Sequence, residues 1–268
     1  MYEIHRMKSK EKHEPYVFEP IGIIRTEYKE KFGIPRQPGL AASTRGVIEL
    51  SSSHITNSLL EQSCKGLELF SHIWIVFVFH EHNAKAYKAT IRPPRLGGKK
   101  KMGVLGSRTP HRPNPIGLSA VKLEGITKNK KGQVLIEVSG VDILDGSPVL
   151  DIKPYLPYAD SIPEANSGWT NNTVEKHPVH FTPEAESKIL HQETLYPGLK
   201  SRIIETLTID PRPSSQRTRY APRSDNSIGK KFGFTLTSFD VKWQITDQGF
   251  EVYDLEELVD GKFRKSAK

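Results

Sequence analysis

The sequence predicts a mainly β protein, a barrel or sandwich of short strands followed by a small α+β unit. Three observations carry this. Short runs rich in Val, Ile, Phe and Trp recur between Pro20 and Ile143, each bounded by Gly, Pro or Lys-rich turns. Only Ser53 to Gln62 reads as a helix within that stretch. Beyond Asp151 the texture changes to a Pro-rich crossing segment and then to helix-start signals.

Taken in order, Pro20 to Arg25 and Gly46 to Leu50 are short strands, with the charged, Pro/Gly-rich loop Lys29 to Leu40 between them. Leu69 to His80 is a buried strand by its aromatic and β-branched content. Tyr87 to Arg92, Met102 to Ser107, Ile116 to Ile126 and Val134 to Ile143 supply further strands. Ile152 to Ala165 crosses over, and Ala165 to Val179 reads as an exposed linker. Thr182-Pro183 is an N-cap hydroxyl before a proline at the first helical position, and it opens a helix to about Tyr196. Leu199 to Leu207 is a second short helix. Phe232 to Asp240 and Val241 to Tyr253 form a strand pair, with a turn at Thr246-Asp247-Gln248-Gly249. The domains expected are a polar extension at 1–16, a β domain at 17–165, and a linker with a small α+β domain at 166–268.

Composition narrows the class. With 36% hydrophobic and 26% charged residues, the chain belongs with soluble globular proteins. Its most apolar stretch, Ile73 to Phe79, is strand-sized, so no membrane span is expected. The polar N-terminus has no apolar signal core, and the single cysteine, Cys64, permits neither an internal disulfide framework nor a Cys-based metal site. A cytoplasmic protein is expected. Charge is concentrated: His82 to Leu123 holds ten Lys and Arg and no Asp or Glu, whereas the whole chain carries +8, so the remainder is mildly acidic. An acid-free block with strand-like segments points to a polyanionic partner, of which nucleic acid is the commonest.

Within that block, Ser107-Arg108-Thr109-Pro110-His111-Arg112-Pro113-Asn114-Pro115-Ile116-Gly117-Leu118-Ser119 cannot be an ordinary helix or central strand. Three prolines fix φ, remove donors and push preceding residues toward extended geometry, so this is a stiff, shaped loop. Ile34-Pro35-Arg36-Gln37-Pro38-Gly39 repeats the pattern in miniature, an arginine held between prolines. Residues 211–231 hold six basic residues and one acid, and read as a mobile basic loop. No Rossmann fingerprint, Walker loop or nucleophilic-serine elbow occurs. His80-x-His82 on a strand would put both rings on one face, yet no third ligand stands at a recognisable spacing. Asp142 is expected to close a strand, where it is either a cap or a ligand contact. Asp145-Gly146 begins a turn, and Asp151 to Tyr155 is a surface turn or part of the same site. Trp74, Phe77 and Phe79 are core at strand spacing, with Phe79 beside His80 able to stack on a purine.

Several of these segments together, Phe18 to Thr26, Ile34 to Leu40, Phe70 to Trp74, Arg92-Pro93-Pro94-Arg95-Leu96-Gly97-Gly98, Ser107 to Ser119, Asp142 to Tyr155 and Asp210-Pro211-Arg212-Pro213, closely resemble the TrmO (TsaA-like, YaeB) family. The resemblance covers nearly the whole chain apart from the N-terminal extension. It implies a β-barrel methyltransferase domain, homodimers, and S-adenosylmethionine as methyl donor. It further implies methylation of N6 of the threonylcarbamoylated adenosine 3′ of the anticodon in threonine tRNA. Carried over by position, Pro35, Arg36 and Gln37 would wrap the cofactor, and Phe79 and His80 would line its adenosine end. Arg108 and Leu118 would frame it, and Ser139, Gly140, Val141 and Asp142 would complete the pocket. Lys99, Lys100, Lys101, Arg212, Arg217 and Arg219 are candidate tRNA contacts, and Arg112 and Asn114 would face either substrate or a second subunit. The insert at about 214–229 departs from the family pattern. Asp142, Asp145 and His80 stand unranked as general base. Two other classes compete: a non-catalytic RNA-binding protein with a degenerate nucleotide pocket, and a metal-dependent hydrolase or lyase using His80, His82 and Asp142.

Overall fold

The computed structural model describes residues 16–82, 89–93, 96, 100–170, 174–222 and 224–258. Its first part runs β1 (Gly22–Thr26), β2 (Arg45–Leu50), α1 (Asn57–Ser63), β3 (His72–Val78), β4 (Thr90–Ile91), β5 (Met102–Gly103), β6 (Ile116–Lys128), β7 (Val134–Ser139) and β8 (Ser147–Pro154). Six of these strands close a barrel in the order β1-β2-β7-β6-β3-β8, every pair antiparallel. Alternation sends Ile24, Ile48, Ile73, Ile75, Phe77, Val121, Ile136, Val138 and Val149 inward, and they fill the interior as a packed core. At Gly117, a Cβ would lie 2.2 Å from the Phe77 ring, so the ring packs directly against bare backbone.

Antiparallel pairing all round has one consequence for function. The C-terminal ends of β1, β3 and β7 and the N-terminal ends of β2, β6 and β8 lie at the same end of the barrel. The connections 27–44 and 140–146 and the two ends of the segment between β3 and β6 therefore meet there. The opposite end is packed by α1, with Leu60 buried.

Beyond the barrel come α2 (Pro157–Asp160), β9 (Val179–Phe181), α3 (Pro183–Gln192), α4 (Leu199–Thr208), α5 (Ser214–Arg219), β10 (Lys231–Leu236), β11 (Phe239–Ile245) and β12 (Phe250–Glu257). Strands pair in the order β10-β11-β12-β9, with β9 parallel to β12. Thr182 caps α3 as its sequence requires, its Oγ1 accepting from the Ala185 N–H at 3.2 Å. Ala185, Ile189, Leu199, Ile203 and Leu207 bury one face of α3 and α4 in the core that includes Trp243, Phe239 and Phe250. This second unit holds the 27–44 connection from behind. Arg202 pairs with Glu27 at 2.9 Å, Ser43 donates twice to Glu205, and the Thr235 N–H donates to Glu30 at 2.9 Å. Among the described residues no helix is long and apolar enough to cross a membrane.

Four expectations are corrected. Met102 to Ser107 is a two-residue strand followed by a 3-10 turn at Val104–Gly106. Ser147–Pro154, read from sequence as turn and crossover, is a barrel strand between β1 and β3. The run Phe232 to Asp240 is broken by a tight turn at Thr237, whose φ is 56°, giving three antiparallel strands rather than two. The basic segment after Asp210 is anchored rather than free, since it contains α5 and the buried Arg212.

Candidate active site at one end of the barrel

β7 ends at Ser139 because Gly140 turns the chain with φ at 72°, in the left-handed region. Asp142 thus lies three residues beyond the strand, not at its close. Main-chain bonds stitch two of the converging loops together: the Gly39 N–H donates to Gly140 O at 2.9 Å, and the Gly140 N–H donates to Thr44 O at 2.9 Å. Asp142 is half-buried, and its Oδ1 accepts from Ser119 Oγ at 2.5 Å. Burial pushes its pKa up to about 6, while Ser119, its own backbone N–H and the Arg108 charge pull back less strongly.

The stiff loop approaches from β6. Arg112 staples it, Nη1 donating to Ser107 O at 2.7 Å and to Val104 O at 3.3 Å, and the Phe79 N–H donates to Pro115 O at 2.8 Å. Arg112 thus braces its own loop through Nη1. Arg108 is exposed and reaches across to the 27–44 connection, donating to Gln37 Oε1 at 2.5 Å. The Gln37 amide donates in turn to Arg36 O, and Arg36 donates to Arg212 O at 2.8 Å. Phe79 sets its ring edge-on to Phe77, 5.1 Å between centroids. His80 is exposed, with Nδ1 3.2 Å from Ser147 Oγ. Because that hydroxyl donates to Leu144 O at 2.8 Å, His80 Nδ1 carries the hydrogen between the two groups and Nε2 is left as an acceptor.

The structure therefore brings Pro35, Arg36, Gln37, Phe79, His80, Arg108, Gly140, Val141 and Asp142 to one barrel end. Others expected there are engaged or exposed as follows. Ser139 is buried on the outward register of β7 and donates to Glu124 at 2.5 Å. Leu118 is 56% exposed on the outer wall, because its neighbour Ser119 occupies the inward register. Asp145 is a structural carboxylate, accepting from the Thr26 N–H at 2.8 Å and pairing with Lys29 at 2.9 Å. Arg212 is 3% exposed, so it cannot meet a tRNA phosphate. Arg217 is half-buried and Arg219 exposed on α5, while Asn114, Lys100 and Lys101 are exposed on the loops. Lys99 lies outside the described residues. His80 and His82 do not share a site: His82 packs on His111, with centroids 4.2 Å apart. Among the described residues, no three His, Cys, Asp or Glu side chains converge as metal ligands. Ser119 was missed from sequence, although a polar residue on the inward face of an alternating strand is the signal that marks it.

The Asp142 carboxylate is set in a desolvated spot that Ser119 and the Arg108 charge compensate only in part. Beside it stand an exposed guanidinium, an aromatic edge and an imidazole acceptor. The class so defined is a closed β-barrel whose three connecting loops bring charged, aromatic and imidazole side chains together at one end. Residues 23–161 match the sequence model of the tRNA-methyltransferase O N-terminal domain and residues 174–258 that of the TrmO C-terminal domain; the chain belongs to the TrmO family. It is 43% identical over 242 residues to the tRNA (adenine(37)-N6)-methyltransferase of Escherichia coli, covering 90% of this chain and 98% of that one. A mouse protein of the same name is 48% identical over 143 residues, 53% of this chain and 31% of the mouse protein. A crystal structure of TrmO from Pseudomonas aeruginosa superposes with a TM-score of 0.68 at 33% identity, covering 91% of this chain and all of that one.

Proposed function

We propose that this chain is an S-adenosylmethionine-dependent tRNA (adenine(37)-N6)-methyltransferase, acting on threonylcarbamoyladenosine 3′ of the anticodon in threonine tRNA as a cytoplasmic homodimer. The observation that carries the reading is the pairing of Asp142 on Ser119 with Arg108 on Gln37 across one barrel end. S-adenosylmethionine, when bound, supplies an electrophilic methyl group on a sulfonium. The donor set fits it. Asp142 would hold a cationic centre of the cofactor, Arg108 its carboxylate, and Phe79 with Pro35 its adenosine end, while Gly140 and Val141 would shape the wall between them. Two acceptors at this end are able to take the proton lost by N6: the Asp142 carboxylate and His80 Nε2. Asp145 is withdrawn from that role by Lys29.

Anticodon-loop bases are single-stranded, so presenting one to this end costs less than flipping it from a duplex. Exposed Lys100, Lys101 and Arg219 supply phosphate contacts, with Arg217 beside them on α5. The homodimer is supported by an outer barrel strip of Val76, Val78, Ile116 and Leu118, of which Ile116 is 40% and Leu118 56% exposed. Incubating the purified protein with labelled cofactor and threonine tRNA that carries the threonylcarbamoyl group but no N6-methyl tests the reading. Nucleoside mass analysis should show one methyl gained on that nucleoside. Cofactor binding without any methyl gain would leave a non-catalytic RNA-binding protein instead.

A further inference from the structure

A hydrogen-bonded path runs from the second unit to the carboxylate at the barrel end. It starts on α4, which is fixed in the core by Leu199, Ile203 and Leu207. From that helix the half-buried Glu205 reaches Ser43, its Oε2 accepting from the Ser43 N–H at 2.9 Å and from Ser43 Oγ at 2.8 Å. The next residue, Thr44, is fully enclosed and carries the path on. Its carbonyl accepts from the Gly140 N–H at 2.9 Å, and its hydroxyl lies 2.8 Å from Ala41 O and 3.2 Å from Val141 O. The buried Tyr28 hydroxyl lies beside those of Thr44 and Thr206, yet makes no aligned hydrogen bond there. Glu205 therefore supplies the bonded link from α4 to this corner.

We infer that Glu205 is a positioning residue for the cofactor end. Through Ser43 and Thr44 it sets the Gly140–Val141 main chain and hence where Asp142 stands, an inference that rests on the methyltransferase reading above. Its place differs from that of the other bonds between the two units. Arg202 on Glu27 and the Thr235 N–H on Glu30 act at the start of the 27–44 connection, beside β1. Glu205 acts at its end, on the corner to which Gly140 is bonded. Among the described residues no Lys or Arg pairs with Glu205, so its bonding oxygen is committed to that corner. The corner also seats Val141, which is fully buried against Gly46, where a Cβ would lie 3.2 Å from Val141 Cγ1. Asp142 follows directly, about 3.8 Å further along the Cα trace, with its carboxylate bonded to Ser119. A ligand that needs one arrangement binds more weakly in proportion to the fraction of molecules that hold it. Loosening the corner therefore lowers affinity for the methyl donor without removing any group that touches it.

The test uses the full chain as native protein, Glu205→Ala, Glu205→Gln and Ser43→Ala. Affinity for S-adenosylmethionine is read by calorimetric titration, and the corner by site-resolved amide hydrogen exchange at Gly140. Alanine favours a helix at least as well as glutamate, so α4 keeps its form. Glu205→Ala should lose about tenfold of affinity, the worth of a hydrogen bond to a charged group, and exchange at Gly140 should quicken by a similar factor. Glu205→Gln keeps a carbonyl oxygen for Ser43 and should stay within about threefold of native on both readings. Ser43→Ala keeps the amide bond alone and should fall between them. Adding it to Glu205→Ala should weaken binding no further, because both remove the same contact. Exchange in the cores of β11 and β12 should not change. Native-like binding by Glu205→Ala would overturn the inference, as would an equal loss in Glu205→Gln. So would equally faster exchange in β11 and β12, which marks general destabilisation. The two failures are distinct: a native protein that binds no S-adenosylmethionine refutes the methyl-donor reading and the inference with it, whereas equal binding by native protein and Glu205→Ala refutes the inference alone.

Discussion

Arg108 and Arg212 sit in similar words, Ser107-Arg108-Thr109-Pro110 and Pro211-Arg212-Pro213, yet one is exposed at the barrel end and the other is a keystone. Arg212 donates through Nε and Nη2 to the two oxygens of Asp210 at 2.8 Å each, and through Nη1 to Tyr220 O at 2.9 Å. Its guanidinium lies 5.0 Å from the Phe232 ring, 5.7 Å from Trp243 and 5.5 Å from Phe250. Arg108 is exposed and, among the described residues, meets the neutral Gln37 as a hydrogen-bond partner. The difference is the acid. Asp210 stands two residues before Arg212, held there with φ at 52°, whereas no Asp or Glu lies between His82 and Leu123. An arginine with a carboxylate two residues before it closes a core, and Arg108, with no acid on its own loop and only the charge of Asp142 acting across the barrel end, stays exposed.

The largest effect expected from this contrast is on stability. Arg212→Ala leaves Asp210 buried and unpaired, and should cost about 3–5 kcal/mol in urea unfolding, the range for breaking a buried ion pair. A loss under about 1 kcal/mol would break the comparison, since that is the range of exposed pairs. Arg108→Ala should do the reverse. Its cofactor affinity falls by about tenfold or more, the worth of a hydrogen bond to a charged group, while unfolding stays within about 0.5 kcal/mol of the parent. Calorimetric titration beside a urea melt reads both.

Asp142→Asn sharpens the contrast from the acidic side. Burial raises the Asp142 pKa from 3.8 to about 6, so between those values the folded protein holds a proton that the unfolded chain has lost. Stability contributed by this group is therefore full below about pH 4 and lost as pH rises through about 6. The asparagine variant should flatten that slope and melt about 2–4 °C higher above the window, while binding cofactor more weakly. A melt that follows the parent at every pH would place Asp142 in ordinary solvent. The smallest effect belongs to Lys100→Ala with Lys101→Ala. Losing up to two phosphate contacts should reduce the slope of log affinity against log salt by about 2 at most, with cofactor affinity unchanged. An unchanged slope would mean that these lysines are a solvated face.

The fold was legible wherever alternation was clean. β1, β2, β3 and β6 follow their apolar patterns because one face of each is buried. β8 was hidden by Pro148 and Pro154, which read as breakers. Each stands where the strand has one neighbour, Pro148 opposite Ile23 of β1 and Pro154 opposite Ile73 of β3, so no ladder bond on a second side is needed. The site was legible as loop segments, and antiparallel closure of the barrel brings those loops together. What sequence could not supply was side-chain direction. Ser139 and Leu118 turn outward by strand register, Asp145 is captured by Lys29, and the Asp210 carboxylate that buries Arg212 is recognised only once Phe232, Trp243 and Phe250 close around it.

The claim that the three-loop end of the barrel holds the methyl donor through Asp142 is tested most directly by calorimetric titration of S-adenosylmethionine into the native protein and Asp142→Asn, from below to above about pH 6. Native affinity should rise as the carboxylate ionises, and the variant should bind more weakly with no rise across that range. Equal affinities for the two proteins at every pH, or a native affinity indifferent to pH, would contradict it.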